Sequence, residues 1–568
     1  MRFLQLLGFA AVALSAPLLE GRAKSKSFLK QINETTWVLG NSLWNVTQNR
    51  QYANKLFYKG QDRVGKAVGH YVSYNGAASD LNWTSAAIVD SGSDYINVKF
   101  TAKEGDFHWV IYDDLAGAYQ YFVNHALPVL GEFRTLWRLD NSSFTKGRTY
   151  LKDGPLPPLS DYLAATKVQD ETWQKADGTY LTKYDWSAVL RSTDYYGVYG
   201  DKVGSWYFNP GKDYYNGDQT KGELMVHRES LTGDTVQLNM IHGTHFQAIA
   251  TDTFADGKTW GPWLWYLNDG SKTDAAARAE EEEAKWPYKW YEALDKAYRT
   301  RGRMQGQLAL SDGRAAAGAN VFLGDSNSTL STLDQGANYY YTTTADKDGK
   351  FVIKDIRQGT YGLYAWSNGG KIGDVSTTFI KNDVVIREGD NTNLKKLSWP
   401  VTDLKKRIFQ VGDFDRKSVG FLGSGGYFHG RIATCPANIT YTIGKSKPSD
   451  WCFGQSSFGK YSITFSLASI PTTATGAKLT VSMAGFSTGS AADVLLNDVK
   501  VGRITNSATI LSSQDTYRGA TVSGEWHLLE MPIAKAQLKV GVNKVDFNVT
   551  ASTLWRGWFW DSVVLDWQ

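Results

Sequence analysis

Between Tyr180 and Gly270 the chain concentrates side chains that can move protons. Three blocks lie there: Tyr180-Leu-Thr-Lys183-Tyr-Asp-Trp186, Glu223-Leu-Met-Val-His227-Arg-Glu-Ser230 and Met240-Ile-His-Gly-Thr-His245. An aromatic run, Trp260-Gly-Pro-Trp-Leu-Trp-Tyr-Leu-Asn-Asp-Gly270, follows them. Six of the eight histidines (His70, His108, His125, His227, His242 and His245) precede Phe246, so chemistry is expected in the first part of the chain. Metal-assisted hydrolysis fits poorly. On a strand the spacing of His242 and His245 points them to opposite faces, and no His-Glu-x-x-His helix or nearby cysteine pair exists. Glycoside hydrolysis needs two carboxyl groups flanking a bond; Asp185, Asp194, Asp213, Glu223 and Glu229 keep it open. β-Elimination suits the basic residues better. Removing the C5 proton of a 4-linked uronate requires a cation to neutralise the adjacent carboxylate. It also requires a base titrating near the working pH, with an acid to help O4 depart. A buried lysine can serve because desolvation lowers its pKa, and histidine titrates in the right range.

These residues need a rigid frame. From about Phe28 to Asp269 short alternating runs, such as Tyr95-Ile-Asn-Val-Lys-Phe100 and Phe107-His-Trp-Val-Ile-Tyr112, are broken by Gly, Asn and Asp, which predicts a large β-sandwich. One helix is expected from Asp274 to about Lys296, capped by Thr273 or Asp274, with Glu280 to Glu283 as a solvated face and Pro287 breaking or kinking it. A second, seven-strand-like sandwich of about 90 residues begins near Gly302. In it Asp346-Lys-Asp-Gly349 reads as a hairpin turn, although a structural calcium ion stays open there. A third unit follows Trp399-Pro400 and closes on Trp555-Arg-Gly-Trp-Phe-Trp-Asp-Ser-Val-Val-Leu-Asp-Trp567, whose alternation sends some of its aromatics into a core.

Bulk properties narrow the function further. At 568 residues about three domains are expected. A net charge of +4, spread along the chain, provides no basic stripe for nucleic acid. Arg2, the apolar stretch Phe3 to Leu14 and the small residues Ala13, Ser15 and Ala16 read as a secretory signal, with the cut between about Ser15 and Gly21. No later run is apolar for long enough to span a bilayer, so a secreted, extracellular protein with no membrane partner is expected. In that compartment Cys435 and Cys452 are expected to pair, contributing roughly 3 kcal/mol by chain entropy. Seven candidate glycosylation sequons start at Asn33, Asn45, Asn82, Asn141, Asn327, Asn438 and Asn548.

Together the blocks and the three-part order resemble the rhamnogalacturonan lyases of polysaccharide lyase family 4. The resemblance covers essentially the whole mature chain. It implies an all-β, multidomain fold: a signal peptide over 1–20, a large galactose-mutarotase-like catalytic β-sandwich over 21–300, a fibronectin-III-like sandwich over 301–398, and a carbohydrate-binding-module-like jelly roll over 399–568. Thr182-Lys183-Tyr184 matches the family's lysine segment, and His227, ahead of Ile241-His-Gly243, its histidine. The resemblance therefore makes Lys183 and His227 the catalytic pair, with base and acid unassigned between them. Taken alone, Lys183 reads as an exposed lysine and His227 as an ordinary histidine. Gly131-Glu-Phe-Arg134 matches the arginine that holds the uronate carboxylate. The chain departs from the family where a Tyr-Trp-Tyr cluster should precede the histidine: it reads Gly222-Glu-Leu-Met-Val226, and the nearest tyrosines are Tyr214 and Tyr215. These two, with Tyr184 and His242, are the further substrate-binding candidates. The implied activity is β-elimination at rhamnose-α-1,4-galacturonate bonds of rhamnogalacturonan I by a monomer needing no cofactor for catalysis. A non-catalytic carbohydrate-binding protein and a pectin-directed glycoside hydrolase are the alternatives.

Overall fold

The computed structural model describes residues 26–75, 80–243, 245, 253–327, 335–425, 431–510, 513, 515–518 and 522–568. The expected signal peptide lies outside the described residues. Two nine-stranded antiparallel sheets form the first sandwich. The front sheet places Gly69–Tyr74, Glu132–Leu139, Thr235–Gly243 and Val226–Arg228 side by side in that order. The back sheet is centred on Gly204–Phe208, Thr259–Asn268, Gly117–Asn124 and Gly105–Tyr112. Alternation decides what each strand offers. Along Glu132–Leu139, Phe133, Trp137 and Leu139 enter the core between the sheets. Glu132, Arg134, Leu136 and Arg138 therefore face the other way. Trp137 of the front sheet stacks on Trp265 of the back sheet with ring centroids 4.7 Å apart, a pair worth about 0.5–1.5 kcal/mol beyond its buried area. The strand carrying Arg134 is thus fixed from behind.

The helix spans Lys272–Lys285 and is capped by Ser271, whose Oγ accepts from the Asp274 N–H at 3.1 Å. This corrects both the expected cap and the expected length. Pro287 ends the helix, and two short helices follow, Lys289–Leu294 and Lys296–Arg299. Nor is the four-glutamate run wholly solvated. Glu282 is buried, accepts hydrogen bonds from Tyr119 and Tyr288, and pairs with Arg278 and Lys285. It ties the helix to the outer face of the back sheet.

Strands from Arg301–Leu310 to Asn391–Trp399 build the second sandwich from a three-stranded and a four-stranded sheet. In it Asp346 accepts from the N–H groups of Asp348 and Lys350 at 2.9 and 2.8 Å, with Gly349 in the left-handed region (φ 76°), which is a hairpin turn. Two five-stranded sheets between Arg407–Val411 and Trp558–Trp567 make the third. The Cys435–Cys452 disulfide is formed there. Trp555, Trp558 and Trp560 are buried in its core, so they offer sugar no stacking surface; Trp567 is half-buried. Six sequon asparagines are exposed and Asn45 is half-buried.

Candidate active site

Three elements converge on the outward face of the front sheet. His227 projects from Val226–Arg228, where its neighbours Val226 and Arg228 turn inward, Val226 into the core and Arg228 onto Thr235 and the Phe144 carbonyl. It is 4% exposed, and its Nδ1 has no hydrogen-bond partner among the described residues. Nε2 stands 3.9 Å from Glu229, whose carboxylate also meets Arg138 at 3.3 Å. Burial, reinforced by nearby Lys183 and Arg138, lowers His227 to about 4, against the opposing pull of Glu229. Its imidazole is therefore neutral at neutral pH. Burial by itself would raise Glu229, but His227, Arg138 and Lys183 hold it at about 2.

Lys183 arrives from a small added sheet of Thr166–Gln169, Thr172–Gln174 and Tyr180–Thr182. Thr182 Oγ1 accepts from the Tyr184 N–H and starts a single 3-10 turn, Lys183–Trp186. That turn swings Lys183 over the sheet beside the hairpin tip Asp170-Glu171, where Glu171 is left-handed (φ 45°). Lys183 is half-buried, and its ammonium has no hydrogen-bond or ion-pair partner among the described residues; it lies 5.3 Å from the Tyr184 ring. Burial lowers its pKa, with Arg518 assisting and Glu171, Glu229 and Asp170 opposing. A half-buried ammonium without a partner is costly, so this lysine is readied to give up its proton.

Arg134 completes the group from the central strand. Nε donates to Ser73 Oγ at 3.2 Å and Nη1 meets Glu132 at 3.0 Å and His245 Nδ1 at 3.2 Å. Nη2 makes no hydrogen bond with a described residue. His245 also meets Glu132 at 3.2 Å; burial lowers it to about 4, and Lys183 adds to that. Lys183 thus acts electrostatically on both His227 and His245, and the three basic residues expected from sequence share one face. This arrangement can remove a proton from a carbon whose adjacent carboxylate Arg134 neutralises.

Other expectations are corrected. Tyr214 and Tyr215 are 1% and 0% exposed. Tyr214 packs on Trp263 and bonds Asn209, and Tyr215 donates to Glu223, so neither can meet substrate. His242 is 0% exposed and packs against Phe254 and Trp260. A register shift between Phe133 and Arg134 accompanies its inward turn, and the substrate-binding role is withdrawn. Tyr184 is buried beneath the site, its hydroxyl donating to Asp170 at 2.9 Å, so it supports the site from below. Gly485-Phe-Ser-Thr-Gly489 spells a serine-hydrolase pattern, but Ser487 is fully buried and its Oγ has no partner among the described residues, hence no activating base. Sequence reasoning missed Glu132 and weighed Glu229 only as a hydrolase carboxylate, although each stands two residues from a basic residue it serves, the same-face spacing of a strand. It also missed Asp170, Glu171, Arg138 and Arg518. Among the described residues no group of three or more His, Cys, Asp or Glu could hold a metal ion. A groove of about 760 Å³ lined by Tyr112, Trp286 and Trp290 lies on the far side of the back sheet, remote from these residues.

Residues 311–394 match polysaccharide lyase family 4, domain II, and residues 407–565 match polysaccharide lyase family 4, domain III. A rhamnogalacturonate lyase of Dickeya dadantii is 29% identical over 509 residues, covering 84% of this chain and 82% of its own. A probable rhamnogalacturonate lyase B of Aspergillus fumigatus is 25% identical over 469 residues, covering 69% and 68%. Among solved structures, a Paenibacillus xanthan lyase aligns at 10% identity with a TM-score of 0.23, covering 95% of this chain and 51% of its own, too remote a likeness to inform the fold. Domains II and III of polysaccharide lyase family 4 are thus matched in order behind the first sandwich, and similarity to rhamnogalacturonate lyases extends over most of the chain, which makes this protein a polysaccharide lyase.

Proposed function

We propose that this polysaccharide lyase acts on pectin, cleaving rhamnose-α-1,4-galacturonate bonds of the rhamnogalacturonan I backbone by β-elimination. One observation carries the reading: Lys183, without a partner among the described residues, and neutral His227 lie on one face with Arg134, whose Nη2 makes no hydrogen bond with a described residue. Arg134 binds the uronate carboxylate and stabilises the enolate as it forms. Lys183 and His227 divide the proton work, one taking H5 and the other assisting O4. Electrons from the C5–H bond form the C4–C5 double bond as the C4–O4 bond breaks. The product carries a 4,5-unsaturated uronate at its new non-reducing end. The relatives' names support the substrate, and the leader-like N-terminus and paired cysteines support a secreted, extracellular protein. Incubation with rhamnogalacturonan I tests this: absorbance at about 235 nm should rise as the conjugated product forms. New reducing ends without that absorbance would mean hydrolysis and overturn the reading.

A further inference from the structure

The third domain reaches the site. Arg518, on the short helix Asp515–Arg518, donates to Asp170 Oδ2 and to the His245 carbonyl, each at 2.7 Å. Its guanidinium stands 5.0 Å from the Tyr184 ring centroid. Tyr184 donates to the same Asp170 oxygen at 2.9 Å. Arg518, Asp170 and Tyr184 therefore close a ring of contacts around the residue that directly follows Lys183. The second anchor is apolar. Trp555 meets Tyr180 edge-on at 4.6 Å, Val168 packs on the third domain's core, and Gln169 Nε2 donates to the Leu554 carbonyl at 3.1 Å. Both outer strands of the small sheet that presents Lys183 thus lean on the third domain. Ser523 Oγ adds a bond to the Thr220 carbonyl at 2.7 Å.

We propose that the third domain is a working part of the active site, and that Arg518 is a positioning residue that holds the Lys183–Tyr184 turn and the Asp170-Glu171 hairpin tip over the front sheet. A guanidinium suits this task because its planar fork bonds a carboxylate and a carbonyl while stacking on a ring. It also balances charge. The groups acting on Lys183 are Asp170 and Glu171 at the hairpin tip, Glu229 beside His227, and Arg518; His227 and His245 are neutral. Without Arg518, Asp170 would lose its strongest cation and Lys183 would face uncompensated negative charge. Domain and site are thereby coupled: whatever separates the third domain from the first also displaces the catalytic lysine.

The inference rests on Lys183 being the proposed catalytic residue, and the test separates the two. In full-length Arg518→Gln, kcat should fall about ten- to a hundredfold, the cost of small misplacement, with KM changing less. The limb of the pH–rate profile that reports Lys183 should move to higher pH. Arg518→Lys should return the profile toward wild type while recovering kcat only in part, because one ammonium cannot make both bonds. In parallel, Lys183 is titrated by NMR after ¹³C-methylation, its signal assigned with Lys183→Arg; this needs no activity. A wild type that forms no unsaturated product would overturn the proposed reaction, yet a higher-pH titration of Lys183 in Arg518→Gln would still support the positioning role. Coincident titration curves and pH profiles in wild type and Arg518→Gln, with only a lower Tm, would overturn it.

Discussion

His227 Nε2 lies 3.9 Å from Glu229 Oε2, His227 in the middle of the strand Val226–Arg228 and Glu229 directly after its end. The carboxylate is shared with Arg138, so it orients the imidazole without fully charging it. His227 stays neutral down to about pH 4, with an Nδ1 that no described residue satisfies, while Lys183 stands close enough to lower it further. A neutral imidazole and a destabilised ammonium on one face suit the proton transfer proposed for them.

Lys183→Ala and His227→Ala should each lower kcat by about 10²–10⁴-fold, the usual worth of general acid–base catalysis. Neither side chain belongs to a main core, so thermal unfolding should change little. Product absorbance at about 235 nm against calorimetric Tm checks both. Near-normal turnover in both variants would place the chemistry elsewhere.

Arg134→Lys should raise KM and lower kcat together. Its fork serves Ser73, Glu132 and an incoming carboxylate in one plane, and an ammonium cannot reproduce that. The kcat effect should exceed the binding effect, because neutralisation matters more as the enolate forms. Unchanged kinetics would make Arg134 purely structural.

His242→Leu should leave activity intact and Tm unchanged or raised. Both His242 nitrogens are buried without partners among the described residues, a penalty of about 1–3 kcal/mol per polar group that an apolar residue avoids. Loss of turnover with a normal Tm would return His242 to the site.

The fold should weaken in acid. His227 and His245 are lowered to about 4 and His70 and His108 to about 3, from 6.5, in each case chiefly by burial. Folded pKa values below unfolded ones mean the native state binds fewer protons. Their contribution is complete above pH 6.5 and fades as pH falls toward 4 and then 3. Glu132 and Glu229, held at about 2 against 4.5, act in the same direction and lose theirs below pH 4.5. His125, raised by Asp256 and Asp106, opposes this, but it is solvent-screened. Calorimetry from pH 7 to pH 3 should show Tm falling, most steeply below about pH 5; a flat Tm across that range would contradict the assigned charge states.

Much was legible in the sequence. The alternation of Glu132–Leu139 placed Arg134 opposite Phe133 and Trp137, and the spacing of His242 and His245 separated them to opposite sides, as observed. Three sandwiches, the Pro287 helix stop and the Cys435–Cys452 bond follow from local pattern, turn chemistry and redox context. Tertiary structure decided the rest. Period-2 alternation tells which residues share a face but not whether another layer covers it. Tyr214 and Tyr215 therefore looked available and proved buried under neighbouring elements. Arg518 could not be read at all: it stands 348 residues from Asp170, in a segment with no motif, and acquires its role only because the third domain docks against the hairpin beside Lys183.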